Sequence, residues 1–157
     1  MSIEKVRSYF RPLGREQDIL EFPVSSATVE LAAEAVGVVP ARIAKTLSFL
    51  VEDGCVLIVT AGDARIDNKK YKGFFHTKAK MLTPEQVSEL TGHAIGGVCP
   101  FGNPPGVKTY LDVSLKRFDT VFPAAGSANS AIELTCGELE RYSQSLAWVD
   151  LCKDWEE

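Results

Sequence analysis

Histidine is scarce in this chain: His76 and His93 are the only two among 157 residues, and neither has an obvious acid partner for a catalytic pair. The four cysteines, Cys55, Cys99, Cys136 and Cys152, are widely spaced, with no C-x-x-C pair and no histidine at zinc-ligand spacing. That argues against a zinc site and against a dithiol redox motif, and leaves the thiols as small hydrophobes in a reducing compartment, without a disulfide. Long apolar runs are missing as well. The longest, Cys55 to Ala61, is interrupted by a threonine and is far too short to cross a bilayer. The first seven residues mix charges with apolar side chains and lack the apolar stretch of a secretory signal, so the expected location is cytoplasmic. No glycine trio follows a first strand at dinucleotide-binding spacing, and there is no internal repeat or low-complexity segment.

What is present fits one globular domain over residues 1–157, with 45% hydrophobic and 24% charged residues. The net charge of −4 conceals an asymmetry. Asn68 to Lys80 carries Lys69, Lys70, Lys72, Lys78 and Lys80 and no acid, while the remainder holds 12 basic against 21 acidic residues. A basic island on an acidic body suits a phosphate backbone, and Tyr71, Phe74 and Phe75 among the lysines suit stacking on unpaired bases. A solvated amphipathic helix with its aromatics in the core is the competing reading.

Local patterns predict the elements. Ile3, Val6 and Phe10 mark a first helix ended by Pro12 and Gly14, and Asp18 to Phe22 reads as a short strand. Ser25 to Thr28 offer hydroxyl caps to a helix with Val29, Ala32, Ala33 and Val36 on one face, closed by Gly37. From Ala44 the period becomes two, and Glu52-Asp53-Gly54, with its Asp-Gly pair, signals a tight turn into a returning strand, Cys55 to Thr60. Asp67 caps a helix bearing the basic island, and Thr83-Pro84-Glu85-Gln86 opens another that Gly92 ends. Strands follow at Val107–Leu111, Thr120–Phe122, Ala131–Thr135 and Ala147–Leu151, with a short helix near Ser114 and one from Gly137 to Tyr142. Short strands and helices without regular alternation predict a compact α+β domain around a mixed, barrel-like β-sheet with flanking short helices.

Two features carry chemistry. In the strand from Ala44, Lys45 shares the more hydrophobic face with Leu47, Phe49 and Val51. A lysine there costs desolvation unless it meets an anion or reaches solvent at the strand end. The stretch Ala94 to Gly102 holds three glycines and a proline among apolar residues. Such a turn brings backbone N–H groups close to a carbonyl or carboxylate, or simply connects two strands. A second small-residue turn runs from Ala124 to Asn129.

Thr28 to Ala33, Ala44-Lys45-Thr46-Leu47, Gly96 to Gly102, Tyr110-Leu111-Asp112 and Ala125-Gly126-Ser127 stand in the order found in the YbaK/EbsC family. The chain resembles these aminoacyl-tRNA deacylases, which are related to the editing domain of bacterial prolyl-tRNA synthetases. The resemblance implies a trans-acting hydrolase that cleaves the ester joining a wrong amino acid, such as Cys or Ala, to the 3′ end of tRNA-Pro. It implies that Lys45 contacts the terminal nucleotide and that Gly96, Gly97, Val98, Cys99 and Pro100 form the turn supporting the aminoacyl group. Gly102, Asp112, Gly126 and Ser127 are the substrate-binding candidates, and the five island lysines the tRNA-binding ones. Cys99 stands where many relatives have serine. Partners are the acceptor end of aminoacyl-tRNA and an aminoacyl-tRNA synthetase, with no cofactor, no metal and no membrane.

The chemistry agrees with that implication. An aminoacyl ester is already activated, so backbone donors that steady the oxyanion suffice, with water or a substrate group as nucleophile. A second site that hydrolyses what fits it supplies selectivity that one binding pocket cannot. Phe22, Ile43 and Val98 are candidates to line the pocket. Two other readings stand: a Cys99 nucleophile with His93 or His76 as base, and a non-catalytic module of the same fold that holds tRNA or an amino acid.

Overall fold

The computed structural model describes residues 2–93 and 98–155. Its centre is a hairpin. Strands β2 (Ile43–Val51) and β3 (Gly54–Ala61) pair antiparallel from Ala44 opposite Ala61 to Val51 opposite Gly54. The turn is Glu52-Asp53, one position earlier than the Asp-Gly pair predicts. Gly54 opens β3 with φ +142°, which a side chain rarely tolerates. Seven of the eight β3 residues are buried, as a strand covered on both faces requires.

Around the hairpin a mixed sheet of six strands curls into a half-barrel, in the order β8-β6-β2-β3-β5-β9. β5 (Lys108–Asp112) runs parallel to β3, and β9 (Trp148–Val149) parallel to β5. On the other side β6 (Thr120–Pro123) runs parallel to β2, and β8 (Leu134–Thr135) antiparallel to β6. Two small ribbons complete the set: β1 (Leu20–Glu21) with β7 (Ser130–Ala131), and β4 (Arg65–Ile66) with β10 (Cys152–Lys153). The single strand expected over Ala131–Thr135 is therefore two, which serve different partners. Between them Ile132 is wholly buried and donates its N–H to Pro123 O at 3.0 Å.

One detail of β2 decides where a ligand can enter. Its outer edge meets β6 only at Ile43 and Ala44. Farther along, Leu50 N–H donates to Lys80 O (2.7 Å) and Leu82 N–H to Ser48 O (3.2 Å). From Lys45 to Leu47 that edge has no strand neighbour among the described residues.

The helices start and stop where their caps dictate. Thr28 Oγ1 accepts from Leu31 N–H to open α2 (Val29–Val36), and Asp67 caps α3 (Asn68–Phe75), which follows α1 (Ser2–Phe10) and α2 in the chain. Reciprocal Thr–Gln and Thr–Glu capping boxes open α4 (Pro84–Thr91) and α5 (Cys136–Ser143). The main core joins Val6 and Phe10 of α1, Leu139 and Tyr142 of α5, and Leu115 of a 3-10 turn to Val59, Ala61 and Leu111 of the sheet. On the other side Tyr71 of α3 packs on Phe49, Val56 and Ile58. α2 covers Ile43 and Phe122, and α4 covers Cys55.

Asp112, a substrate-binding candidate by resemblance, is wholly buried at the end of β5. Its carboxylate accepts from Ser114 N–H (3.0 Å) and Leu151 N–H (2.8 Å). It thus caps the 3-10 turn and pins the C-terminal segment, where burial of the Cys152 thiol, reinforced by the Asp112 carboxylate, pushes that thiol up. Asp112→Ala leaves two buried donors unsatisfied and is expected to cost about 3 kcal/mol. Urea unfolding measures this, and a loss below about 1 kcal/mol would show that the carboxylate is not a structural cap.

Candidate active site

A cleft of about 270 Å³ opens at the unpaired edge of β2. Residues 43–48 of β2 form its floor and the first turn of α2, with Thr28, Val29 and Ala32, forms one wall. Met81, Leu82 and Val87 form a second wall, and Phe122, Ala124, Ser130 and Ala131 a third, with Val98 reaching in from the glycine-proline turn. The volume sits at the low end for ligand pockets, and the lining is mostly apolar with a few hydroxyls and one charge.

That charge is Lys45. Its half-buried ammonium donates to Ala64 O at 2.5 Å and Gly62 O at 3.4 Å. Burial holds its proton affinity below the ordinary lysine value. The acid that would naturally neutralise it, Asp63, is held by Arg117 through two bonds of 3.0 and 2.6 Å, which keep the Asp63 carboxyl below its usual range. Lys45 therefore makes no ion pair among the described residues. Next to it, Thr46 Oγ1 is buried without a hydrogen-bond partner among the described residues.

Gly96 and Gly97 lie outside the described residues. After Val98 the turn leaves the cleft for the core. Val98 lines the cleft, whereas Cys99 and Phe101 are wholly buried in the main core, Phe101 edge-on to Phe10 with centroids 4.9 Å apart. Pro100 is buried too. Gly102, at φ +68°, backs onto Lys5 and Tyr9 of α1, away from the cleft.

Cys99 Sγ lies 3.6 Å from His93 Nε2, which is itself 3.2 Å from Phe101 O. A carbonyl only accepts, so Nε2 carries the proton and cannot take one from the thiol. Burial lowers the proton affinity of His93 and pushes the Cys99 thiol up to about 12. Neither residue lines the cleft. His76 ends α3 in the left-handed conformation and lines a different hollow.

The second small-residue turn is adjacent to the cleft. Ser127 Oγ is 2.7 Å from Ser130 Oγ, and Ser130 is in the cleft wall. Gly126 supplies φ +98° for the bend. The same loop holds the segment before α2: Ser26 N–H donates to Ala128 O (2.6 Å), and Phe22 N–H donates to Asn129 O (2.8 Å). Of the three lining candidates, Ile43 and Val98 are in the wall and Phe22 is not. Met81, Phe122 and Ser130 are lining residues that no sequence motif singled out, although Phe122 falls in a predicted strand and Thr46, also in the lining, belongs to the Ala44–Leu47 motif.

The island lysines lie elsewhere. Lys69, Lys70 and Lys72 are on α3, and Lys78 and Lys80 follow it, all exposed. Lys70 pairs with Asp150 at 3.0 Å; the other four make no ion pair among the described residues. Tyr71 is wholly buried and Phe75 partly so, while Phe74 keeps 43% of its surface, so the aromatics divide between core and surface. Among the described residues no cluster of ligating side chains could hold a metal ion, and no helix is long and apolar enough to cross a membrane.

Known proteins share this architecture. Residues 24–142 match the model of the aminoacyl-tRNA editing domain. The chain is 60% identical to the uncharacterized protein YwhH of Bacillus subtilis over 157 residues, 99% of this chain and 100% of that one. Proline–tRNA ligase of Thermotoga maritima is 30% identical over 110 residues, which are 69% of this chain and only 19% of the ligase. A crystal structure of a candidate trans-editing enzyme for prolyl tRNA synthetase superposes with a TM-score of 0.87 at 33% identity, covering 97% of both chains. The chain belongs to the aminoacyl-tRNA editing domain family.

Proposed function

We propose that the chain is a trans-acting editing hydrolase that cleaves the ester of a mischarged tRNA-Pro carrying a small wrong amino acid, alanine or cysteine. The observation that carries this reading is the small apolar cleft with the unpaired Lys45 ammonium in its wall. The likeness over 97% of a candidate trans-editing enzyme supports action in trans. In this reading Lys45 holds the terminal nucleotide through its phosphate, and the apolar wall takes the amino-acid side chain. The Gly96–Pro100 turn that the family resemblance assigns to the aminoacyl group would supply backbone donors to the ester carbonyl, with Pro100 as its stiffening residue. Water adds to the carbonyl carbon, the resulting oxyanion is held by those donors, and the bond to the ribose oxygen breaks as that oxygen takes a proton. The products are free amino acid and uncharged tRNA. No protein nucleophile is required, in keeping with the neutral, buried Cys99.

The deciding experiment is deacylation of alanyl-, cysteinyl- and prolyl-tRNA-Pro. Turnover of the alanyl or cysteinyl ester with prolyl-tRNA spared is expected. Tight binding without multiple turnover would make the chain a non-catalytic module. Lys45→Met is expected to lower kcat/KM by about 10- to 100-fold, mainly through KM, the scale of one lost charge-assisted contact to phosphate. Because burial lowers the lysine's folded pKa, its charge costs stability at neutral pH. That cost fades as the pH climbs from the lowered folded value to the ordinary unfolded one. The variant's Tm is therefore expected to be no lower than wild type; a lower Tm with activity kept would assign Lys45 to the fold. Cys99→Ser should retain activity within a few-fold, and iodoacetamide should not label Cys99 in the native protein. Loss of turnover in Cys99→Ser with the fold intact would restore the thiol as nucleophile.

A further inference from the structure

The far half of β2 borders a second hollow, of about 910 Å³, that the ester site does not use. Phe75 and Tyr110 form its aromatic side, their rings edge-to-face with centroids 5.5 Å apart. Lys78, Lys80 and Lys108 stand around it, exposed and without ion pairs among the described residues. Glu52 and Asp53, at the hairpin tip, line it as well. Lysines, carboxylates and aromatic surface gathered around one hollow match the parts of a nucleotide: phosphate, amine-bearing base edge and π-face.

The hollow is coupled to the ester cleft by the shortest possible link. Lys80 lines the hollow and the next two residues, Met81 and Leu82, line the cleft, where Met81 keeps 59% of its surface. Along β2 the separation from Lys45 to Leu50 is about 16 Å at the usual rise per residue, a reach of a few nucleotides of single strand.

We infer that this hollow binds unpaired nucleotides preceding the terminal one at the 3′ end of the substrate tRNA, cytosines whose exocyclic amines face Glu52 and Asp53. The inference rests on the editing reading for the identity of the RNA but not for the site itself. RNA crossing Met81 would have its aminoacylated end in the cleft and its preceding phosphates among Lys78, Lys80 and Lys108. This assigns Lys108, outside the basic island, to the same surface as the island's last two lysines, and it leaves Lys70, already paired with Asp150, without a part.

The test is fluorescence anisotropy with a labelled, uncharged oligonucleotide ending in CCA, for wild type and for Lys78→Ala/Lys108→Ala, whose changes are on exposed side chains. The double variant is expected to bind at least tenfold more weakly at low salt. The slope of log affinity against log salt should be shallower by about 1.4, since each phosphate contact to single strand contributes about 0.7. An oligonucleotide with uracils replacing both cytosines should bind wild type several-fold more weakly; equal binding would overturn the role given to Glu52 and Asp53. Unchanged affinity and slope in the double variant would overturn the site. Free cytidine monophosphate competing as strongly as the oligonucleotide would overturn the tRNA assignment in favour of a free nucleotide. In deacylation, the wild-type preference for aminoacyl-tRNA over aminoacyl-adenosine should narrow at least tenfold in the variant, through KM. If wild type hydrolyses neither, the editing reading fails while the binding measurement still decides the hollow.

Discussion

The interruption in hydrogen bonding along the outer edge of β2 is the constraint on which the candidate site depends. Its inner edge is paired with β3 from Ala44 to Val51, so the strand is rigid. Its outer edge is paired at both ends and open between. Peptide groups in a closed interior would have to find partners. An opening bounded by paired backbone on both sides instead gives a ligand a fixed wall. The elements that surround it, α2, the segment before α4 and the end of β6, each reach β2 at one end of the opening or the other. The cleft is therefore a by-product of topology: a parallel neighbour that leaves early and an antiparallel segment that arrives late.

Electrostatics give that opening a direction. Buried lysines normally acquire a carboxylate partner or lose their proton. Here the available carboxylate, Asp63, is committed to Arg117 through a two-point bond, the geometry in which arginine outcompetes lysine. Two backbone carbonyls then keep the Lys45 ammonium in place without cancelling its charge. The result is a cation held half-buried, fixed in position and still able to attract an anion, which is what a phosphate-binding role demands.

Most of the local structure could be read from the sequence because its causes are local. Thr28, Asp67 and Thr83 cap helices within three residues of themselves, and the hairpin joins strands adjacent in the chain. Lys45 stood out because alternation put a charge on an apolar face. The cleft's other walls were not legible, since Phe122, Ala124 and Ser130 reach β2 only through the crossover to β6, nearly 80 residues later. Within the predicted Glu52–Gly54 turn the tight pair is Glu52-Asp53 and not Asp53-Gly54, because Gly54 does its conformational work as the first residue of a strand. Motif membership also proved a poor guide to exposure: Asp112 and Gly102 belong to the stretches that carry the family likeness, yet one caps buried backbone and the other packs on α1.

The Cys99–His93 pair shows why proximity alone does not make a nucleophile. A thiol beside an imidazole is reactive when the imidazole can accept its proton and the resulting thiolate is stabilised. Here Phe101 O claims the proton on the facing nitrogen, and the apolar surroundings penalise charge on both groups. What the pair does instead is mechanical. Cys99 and Phe101 anchor the turn in the core, and Asn103 Nδ2 donates to Cys99 O at 2.9 Å to brace the exit. With its inward residues fixed, the turn can hold Val98 in the cleft wall without help from a ligand. A serine at position 99 would fill nearly the same space, which fits the interchange of the two residues that the family resemblance implies. The positional role proposed for this segment is suited by a thiol that burial keeps protonated.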